Sequence, residues 1–144
     1  MDGSGSYARS GREVITLQEY LMGRDEEYPN EYSEEIRENA KGLIAKVNAY
    51  LEDLGIEKVK VSSGWRPPSY NRQVFGAAPN SLHMTGHAVD ISDPHRYLAR
   101  KLILIENLAL LDKHGLHAEN PEKTKTWIHL QDIAPKSGRR IFNP

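Results

Sequence analysis

The strongest constraint on the fold is an amphipathic stretch that begins at Ser33 and ends at Gly55. Ser33 is a favourable N-cap, and two glutamates follow it at the positive end of the helix dipole. Apolar residues then recur at three- and four-residue spacing, at Ile36, Ala40, Leu43, Ile44, Val47, Leu51 and Leu54. A helix with one apolar face must bury that face, so the rest of the chain has to supply a packing surface.

Several short segments with strand-like patterns supply that surface. Strands are predicted at residues 58–62, 87–91, 116–119, 126–131 and 140–142. A short helix should follow the capping box of Thr16 and Glu19, and a second main helix should run from Asp93 to Gly115. Residues 24–32 and 64–80 are predicted as loops. The pattern indicates an α+β fold in which a small antiparallel sheet packs against two main helices.

Composition excludes several classes of function. The chain has no cysteine, which excludes disulfides, a thiol nucleophile and a cysteine-ligated zinc, but not a site of histidine and carboxylate ligands. With 19 basic and 20 acidic residues and a net charge of -1, it has no broad basic surface, so nucleic acid is not an expected partner. The longest apolar stretch, residues 98–111, is too short and too interrupted by polar residues to span a membrane.

The N-terminal residues differ from the rest of the chain. Residues 1–11 are rich in glycine and serine and contain no apolar run, so they do not resemble a signal peptide. We therefore expect a flexible tail over residues 1–12, a single domain over residues 13–144, and synthesis in the cytoplasm. We also expect the domain to be a monomer.

Two histidines and one aspartate form a candidate metal site. His83 lies on a loop and Asp90 lies seven residues later on a predicted strand, so the chain must turn near Gly86 to bring the two side chains together. His129 lies on a later strand. Two imidazoles and one carboxylate leave the fourth position of a tetrahedral zinc open, which is typical of a catalytic rather than a structural zinc.

The sequence around these residues resembles the D-Ala-D-Ala metallopeptidases, a group that includes carboxypeptidases, dipeptidases and several phage endolysins and shares its metal core with lysostaphin-type peptidases and the hedgehog signalling domain. The resemblance rests on S-x-H-x-x-G-x-A-x-D at residues 81–90, W-x-H at 127–129, and S-G-W-R-P-P at 63–68. These three elements occur in the family's order, and the resemblance extends over about residues 16–142.

The resemblance implies a zinc ion held by His83, Asp90 and His129. It implies that Arg66 binds the substrate's carbonyl oxygen or terminal carboxylate, for which a guanidinium offers paired donors. The implied reaction is hydrolysis of peptidoglycan stem peptides at or near a D-amino acid, by a D,D-carboxypeptidase or an endopeptidase such as a phage lysis enzyme, which would reach the cell wall after release. The alternative is a weakly active or inactive zinc-containing binding module of the hedgehog type.

The general base departs from the family pattern. Many members carry a glutamate three residues before the last histidine ligand, where this chain has Thr126, and others carry a histidine where it has Trp127. We predict that Glu119 is the base, because it ends a strand that should pair with the His129 strand, and Glu122 is the reserve. Gln131, two residues from His129 on the same strand face, and Trp127 are predicted to bind substrate.

Overall fold

The structure, a computed structural model, describes residues 13–144 and has the α+β architecture that the sequence predicts. The helices are α1 (Leu17–Leu21), α2 (Arg24–Glu27), α3 (Glu34–Asp53), α4 (Pro68–Asn71), α5 (Tyr97–Ile103) and α6 (Leu108–Lys113). Two 3-10 helices cover Leu82–Thr85 and Ile105–Asn107. The strands are β1 (Val61–Ser63), β2 (Ala88–Ser92), β3 (His117–Glu119), β4 (Trp127–Gln131) and β5 (Ile141–Phe142).

The two predicted N-caps are confirmed. The Thr16 side chain accepts a hydrogen bond from the backbone of Glu19, whose carboxylate reaches back to Thr16, and this capping box opens α1. The Ser33 side chain accepts from the backbone of Ile36 and opens α3. The apolar face of α3 is buried, as its spacing predicts, and joins a cluster with α1, α6 and the sheet. Both loop predictions were wrong in part, because α2 forms one helical turn at the start of residues 24–32 and α4 forms another within residues 64–80.

The five strands form one sheet in the order β1-β2-β4-β3-β5. Neighbours are antiparallel except β3 and β5, which are parallel, so the prediction of a wholly antiparallel sheet was wrong at this edge. The reason is that β4 ends at Gln131, which pairs with His117 at the beginning of β3. The chain therefore re-enters the sheet beside the start of β3 and runs in the same direction.

The register of the sheet places one residue of every strand in a single transverse row. Ser63 pairs with Asp90, Asp90 pairs with His129, and Glu119 pairs with Phe142. Ala118 pairs with Leu130, and Glu119 therefore lies opposite His129, one residue further along the paired strands. Side chains along a strand alternate between the two faces, so the row forms one face while the intervening residues form the other. Those intervening residues, Val89, Ile91, Ala118, Ile128 and Leu130, belong to the hydrophobic core.

The second main helix is interrupted, contrary to the prediction of a continuous helix from Asp93 to Gly115. The helix begins only at Tyr97, with Arg96 as its N-cap residue, and Asp93 bonds to the first turn from outside, its carboxylate accepting from the backbone of Leu98 and Ala99. Leu104 then adopts an extended conformation, with ψ of 135°, and ends α5 before the 3-10 helix and α6. Propensity along this segment did not reveal the break, because the apolar spacing continues across it.

Two further expectations concern the chain's ends and membranes. The expected flexible tail, residues 1–12, lies outside the described residues. From residue 13 to residue 144, every helix is too short or too polar to cross a membrane.

Candidate metal centre

His83, Asp90 and His129 converge on one point, with a potential ligand atom of each lying within 4.8 Å of the others. His83 Nε2 is 3.3 Å from Asp90 Oδ2, and His129 Nδ1 is 2.8 Å from Asp90 Oδ1. The two imidazole rings lie 5.5 Å apart between centroids. Asp90 is therefore the centre of the group, with one carboxylate oxygen facing each histidine.

The turn between His83 and Asp90 depends on Gly86. His83 lies in the 3-10 helix, and Gly86 ends that helix with φ of 83°, a left-handed conformation that glycine adopts without steric cost. A Cβ atom at this position would lie 3.0 Å from the carbonyl oxygen of Ile36 and 3.2 Å from the nitrogen of Ala40. The glycine thus reverses the chain and lets the turn pack directly on the backbone of α3.

The orientation of His83 is set by the backbone of Gly64. Nδ1 of His83 is 2.9 Å from the Gly64 carbonyl oxygen, and since a carbonyl can only accept, Nδ1 carries the proton and Nε2 is left with its lone pair toward Asp90. Only glycine fits at position 64, because a Cβ atom there would lie 1.8 Å from the carbonyl oxygen of Tyr20. The S-G-W-R element therefore has a structural function as well as supplying Arg66.

The orientation of His129 is set by Gln131. The Gln131 side-chain nitrogen donates to the carbonyl of Ile133 at 2.7 Å, which directs its oxygen to His129 Nε2 at 2.8 Å. That oxygen is an acceptor, so Nε2 carries a proton. Nδ1, which faces Asp90, is consequently the nitrogen available to a cation.

The electrostatics of Asp90 and His83 fit a site for a divalent cation. Burial alone would raise the pKa of Asp90, but its contacts with the His129 and His83 rings outweigh burial and hold the pKa of this carboxyl well below its usual range. Burial lowers the pKa of His83, which favours the neutral ring that a metal requires. Burial also acts to lower the pKa of His129, but the hydrogen bond to Asp90 and its charge dominate and raise it.

The donor set also matches zinc in its spacing. Tetrahedral zinc with bonds of about 2.0 Å separates its ligand atoms by about 3.3 Å. The two histidine nitrogens lie 3.3 and 2.8 Å from the Asp90 carboxylate oxygens that they face, which is near that separation. Two imidazoles and one carboxylate are ligands that zinc accepts, and the hydrogen bonds from the far side of each ring are those typical of zinc-binding histidines. His83, Asp90 and His129 would therefore hold the ion and leave one position toward the cleft.

The metal site lies in a cleft of about 310 Å³ that is also lined by Arg66, Glu119 and Trp127. Arg66 is half-buried, and its guanidinium is held by the hydroxyl of Ser63 at 3.2 Å and the side-chain oxygen of Asn71 at 3.1 Å. Its backbone nitrogen donates to the carbonyl of His83, which ties the arginine to the metal-binding turn. The arrangement directs a fixed positive charge into the cleft beside the metal site.

Glu119 is half-buried in the same cleft, in the transverse row with Asp90 and His129. Burial raises the pKa of its carboxyl, His129 opposes this rise, and the negative charge of Asp90 adds to it. Glu122, the reserve, is exposed in the turn after β3 and is absent from the cleft lining. Glu119 thus lies in the cleft beside the candidate metal site, and Glu122 does not.

The two residues predicted to bind substrate differ in their environments. Trp127 is half-buried and lines the cleft. Gln131 is only 6% exposed and both ends of its carboxamide bond within the protein, so its contacts are with His129 rather than with the open cleft. Sequence reasoning placed Gln131 on the correct strand face but assigned it to the substrate instead of to His129, two residues earlier, because the spacing alone does not say which of the two the carboxamide contacts.

Sequence reasoning noted Asn71 only as a residue that follows the S-G-W-R element, gave it no role, and did not identify the wall of the cleft formed by residues 74–78. Asn71 is buried, accepts from Arg66, and donates to the carbonyl of Ala78 at 3.0 Å, so it joins the arginine to that wall. Phe75 in the same wall is fully exposed at the rim. The available signal was the position of Asn71 five residues after Arg66 in a segment rich in glycine and proline.

Comparison with known proteins gives one family. The family model for peptidase M15 matches residues 29–131, which is more than half of the chain and includes all three candidate metal ligands. The Hsp70 nucleotide exchange factor FES1 of Kluyveromyces lactis is 30% identical over 91 residues, which cover 61% of this chain and 32% of that protein. The chain thus spans about a third of the length of this curated relative. No solved structure matches the chain.

Proposed function

The chain belongs to the peptidase M15 family, a family of metallopeptidases, and we propose that it is a zinc-dependent peptidase that hydrolyses peptidoglycan stem peptides at or near a D-amino acid. The observation that carries the proposal is the convergence of His83, Asp90 and His129 in a cleft that also contains a cationic and an acidic side chain. A metal site that served only for metal storage or for stability of the fold would not require the cationic side chain of Arg66 or the acidic side chain of Glu119.

The chemistry divides among named residues. When bound, zinc would polarise the scissile carbonyl and make a water molecule more acidic. Glu119 accepts the proton of the attacking water and passes it to the leaving amine, a role that its raised pKa favours because the proton must be both taken up and released near neutral pH. Arg66 offsets the negative charge that develops on the carbonyl oxygen, with its guanidinium positioned by Ser63 and Asn71.

The substrate class is supported by the three motifs that resemble D-Ala-D-Ala metallopeptidases. Ser81 and His83 belong to the first motif and Arg66 to another, and all three residues line the same cleft. The proposed enzyme is either a D,D-carboxypeptidase or an endopeptidase. A phage lysis enzyme that acts on the cell wall after release is one form that it could take. It treats the protein as a monomer with a peptide substrate.

The alternative is a zinc-containing binding module with little or no activity. Thr126, at the position where many relatives carry a catalytic glutamate, favours this reading. The presence of Glu119 in the cleft opposite His129 favours an active enzyme, because it places a carboxylate near the metal from another strand.

The proposal is tested by incubating the zinc-loaded protein with intact peptidoglycan and with synthetic stem peptides that end in D-Ala-D-Ala. Mass spectrometry of the products identifies the bond that is cut, and we expect hydrolysis that stops with a chelator and returns with added zinc. A matched Asp90→Asn variant controls for contaminating peptidases. Tight zinc binding without cleavage of any of these substrates would favour the binding module instead.

A further inference from the structure

A second cleft, of about 300 Å³, adjoins the metal site, and Glu119 is not part of its lining. The two clefts are adjoining, because both are lined by Arg66, Asp90 and Trp127. The second cleft is also lined by Arg24 and Tyr70, together with the hydroxyl-bearing residues Ser62 and Ser63. A peptide whose scissile bond lies at the metal site would therefore extend into this cleft on one side of the cut.

Arg24 is unusually placed for a charged side chain, since it is only 9% exposed. One guanidinium nitrogen donates to the carbonyl of Trp65 at 2.9 Å, and the guanidinium carbon lies 4.1 Å from the centre of the Tyr70 ring. Arginine is seldom this buried without an acidic partner. Over residues 13–144, no carboxylate forms an ion pair with Arg24.

Arg66 lies close enough to Arg24 for the two charges to interact. Burial lowers the pKa of Arg66, Asp90 opposes this effect, and the charge of Arg24 adds to it. Asp90 also lines this cleft, but both of its oxygens are already engaged by His83 and His129. Arg66 bonds to Ser63 and Asn71 through Nε and Nη1, and within the described part of the chain its Nη2 has no hydrogen-bond acceptor.

Two partly desolvated guanidiniums that share a cleft, neither of them in an ion pair with a carboxylate of the described residues, cost free energy, and a bound anion would offset that cost. Stacking on Tyr70 fixes the plane of the Arg24 guanidinium, which keeps its remaining N–H groups in a defined direction. A planar carboxylate is the ligand that such paired donors match.

We propose that Arg24, with Arg66, forms a carboxylate-binding subsite for the substrate residue that follows the scissile bond. This inference rests on the proposed peptidase function and adds Arg24 as a residue that determines specificity. The carboxylate comes either from the C-terminus of the substrate or from an acidic side chain. The first source makes the enzyme a carboxypeptidase, and the second makes it an endopeptidase that cuts before an acidic residue.

The test measures binding rather than turnover, so that it is independent of whether the protein hydrolyses the peptide. Calorimetry uses zinc-loaded protein with Glu119→Gln as the common background and three ligands. They are N-acetyl-D-alanyl-D-alanine, its C-terminal amide, and an amide-capped peptide with D-glutamate in the last position. We expect Arg24→Gln to weaken binding of a carboxylate ligand by about tenfold or more, since a hydrogen bond to a charged group is lost.

Binding of the uncharged amide should not change, and the matched variant Arg72→Gln, an exposed arginine outside both clefts, should bind all three ligands as the parent does. The carboxylate ligand whose affinity falls identifies the source of the carboxylate. Arg24→Lys retains the charge but loses the stacked, paired donors, so it should weaken the same ligand by a smaller factor, and thermal melting checks that both variants fold.

An equal loss of affinity for charged and uncharged ligands would assign Arg24 a purely structural role beneath Trp65 and Tyr70. Unchanged affinities, or failure of the parent to bind either acidic ligand, would also overturn the subsite. If the acidic ligand binds through Arg24 but the active protein cleaves no peptide, the subsite stands and the peptidase proposal fails.

Discussion

Two regions of the sheet contain the same pair of residues in almost the same geometry. In the metal centre, Asp90 lies 2.8 Å from Nδ1 of His129, and near the end of β4, Asp132 lies 2.8 Å from Nδ1 of His87. Both aspartates are largely buried. Distance and burial alone therefore do not distinguish a metal site from a structural ion pair.

The two groups differ in the residue that contacts the second oxygen of each aspartate. The other oxygen of Asp90 faces a second imidazole, His83, whereas the other oxygen of Asp132 faces the ammonium group of Lys46 at 3.1 Å. A lysine fills the position with a fixed positive charge and offers no lone pair, so the Asp132 group is already neutralised and joins α3 to the sheet. An imidazole offers a lone pair when it is neutral, so the Asp90 group has a place for a cation.

The largest effect is expected from removing metal ligands. His83→Ala combined with His129→Ala should reduce zinc content from about one ion per chain to nearly none, because one carboxylate cannot hold zinc alone. Asp132→Asn, which removes the equivalent charge in the other group, should leave zinc content unchanged. Elemental analysis of dialysed protein measures both. Full zinc retention in the double variant would show that the Asp90 group is not the metal site and does not differ from the Asp132 group in this respect.

The next largest effect concerns Glu119. This carboxylate lies in the cleft of the metal centre, whereas Asp132 is not part of the cleft lining. Glu119→Gln should lower kcat about a hundredfold or more, in line with the contribution of a general base, while zinc stays bound. Glu122→Gln is the matched control and should have little effect, since that side chain is exposed in the turn. If the Glu122 variant loses activity and the Glu119 variant does not, the two roles are exchanged.

The pH profile provides a separate check on Glu119. A base must be ionised to act, and its pKa is raised, mainly by burial. The acidic limb of kcat/KM should therefore lie above about 4.3, the usual pKa of glutamate, and activity should fall as the pH drops through that raised value. Replacement by glutamine should remove this limb from whatever activity remains.

A smaller effect is expected at Gln131. This residue is adjacent to Asp132 in the sequence, but its side chain contacts His129 of the metal centre. Gln131→Met keeps the length of the side chain and removes the acceptor for His129 Nε2, so the ring loses its preferred orientation and tautomer. Zinc affinity should fall by about ten- to a hundredfold, as is typical when a hydrogen bond to a zinc ligand is lost. Competition with a chromophoric chelator measures the affinity, and Gln73→Met, an exposed position, is the control. Unchanged zinc affinity would contradict this orienting role.

The smallest effect is expected on stability at Asp132. Asp132→Asn should lower the free energy of unfolding by about 1 to 3 kcal/mol, the range for hydrogen bonds that involve charged groups, because Lys46 and His87 lose their common acceptor. Urea denaturation measures the change. A loss of zinc affinity without a loss of stability would show that the Asp132 group supports the metal centre after all.

Local patterns in the sequence predicted most of the elements that surround the site. The capped helix α3 and the strands β2, β3, β4 and β5 lie close to where their spacing predicts them, because apolar periodicity is imposed by burial on one face. The three motifs also identified His83, Asp90 and His129 as one candidate group. These residues remain predicted ligands, and the structure brings their side chains together as that prediction requires.

Tertiary structure alone decided how the neighbours of those residues act. Glu119 faces the cleft because β3 pairs with β4 in one particular register, and a shift by one residue would turn its side chain into the core. The assignment of Gly64 to His83 and of Arg24 to the second cleft likewise depends on contacts between distant segments. Sequence determined which chemical groups are available and on which face of each element they lie. Strand register and the packing of loops on helices determined their partners, because those contacts join residues whose separation along the chain carries no information about their distance in space.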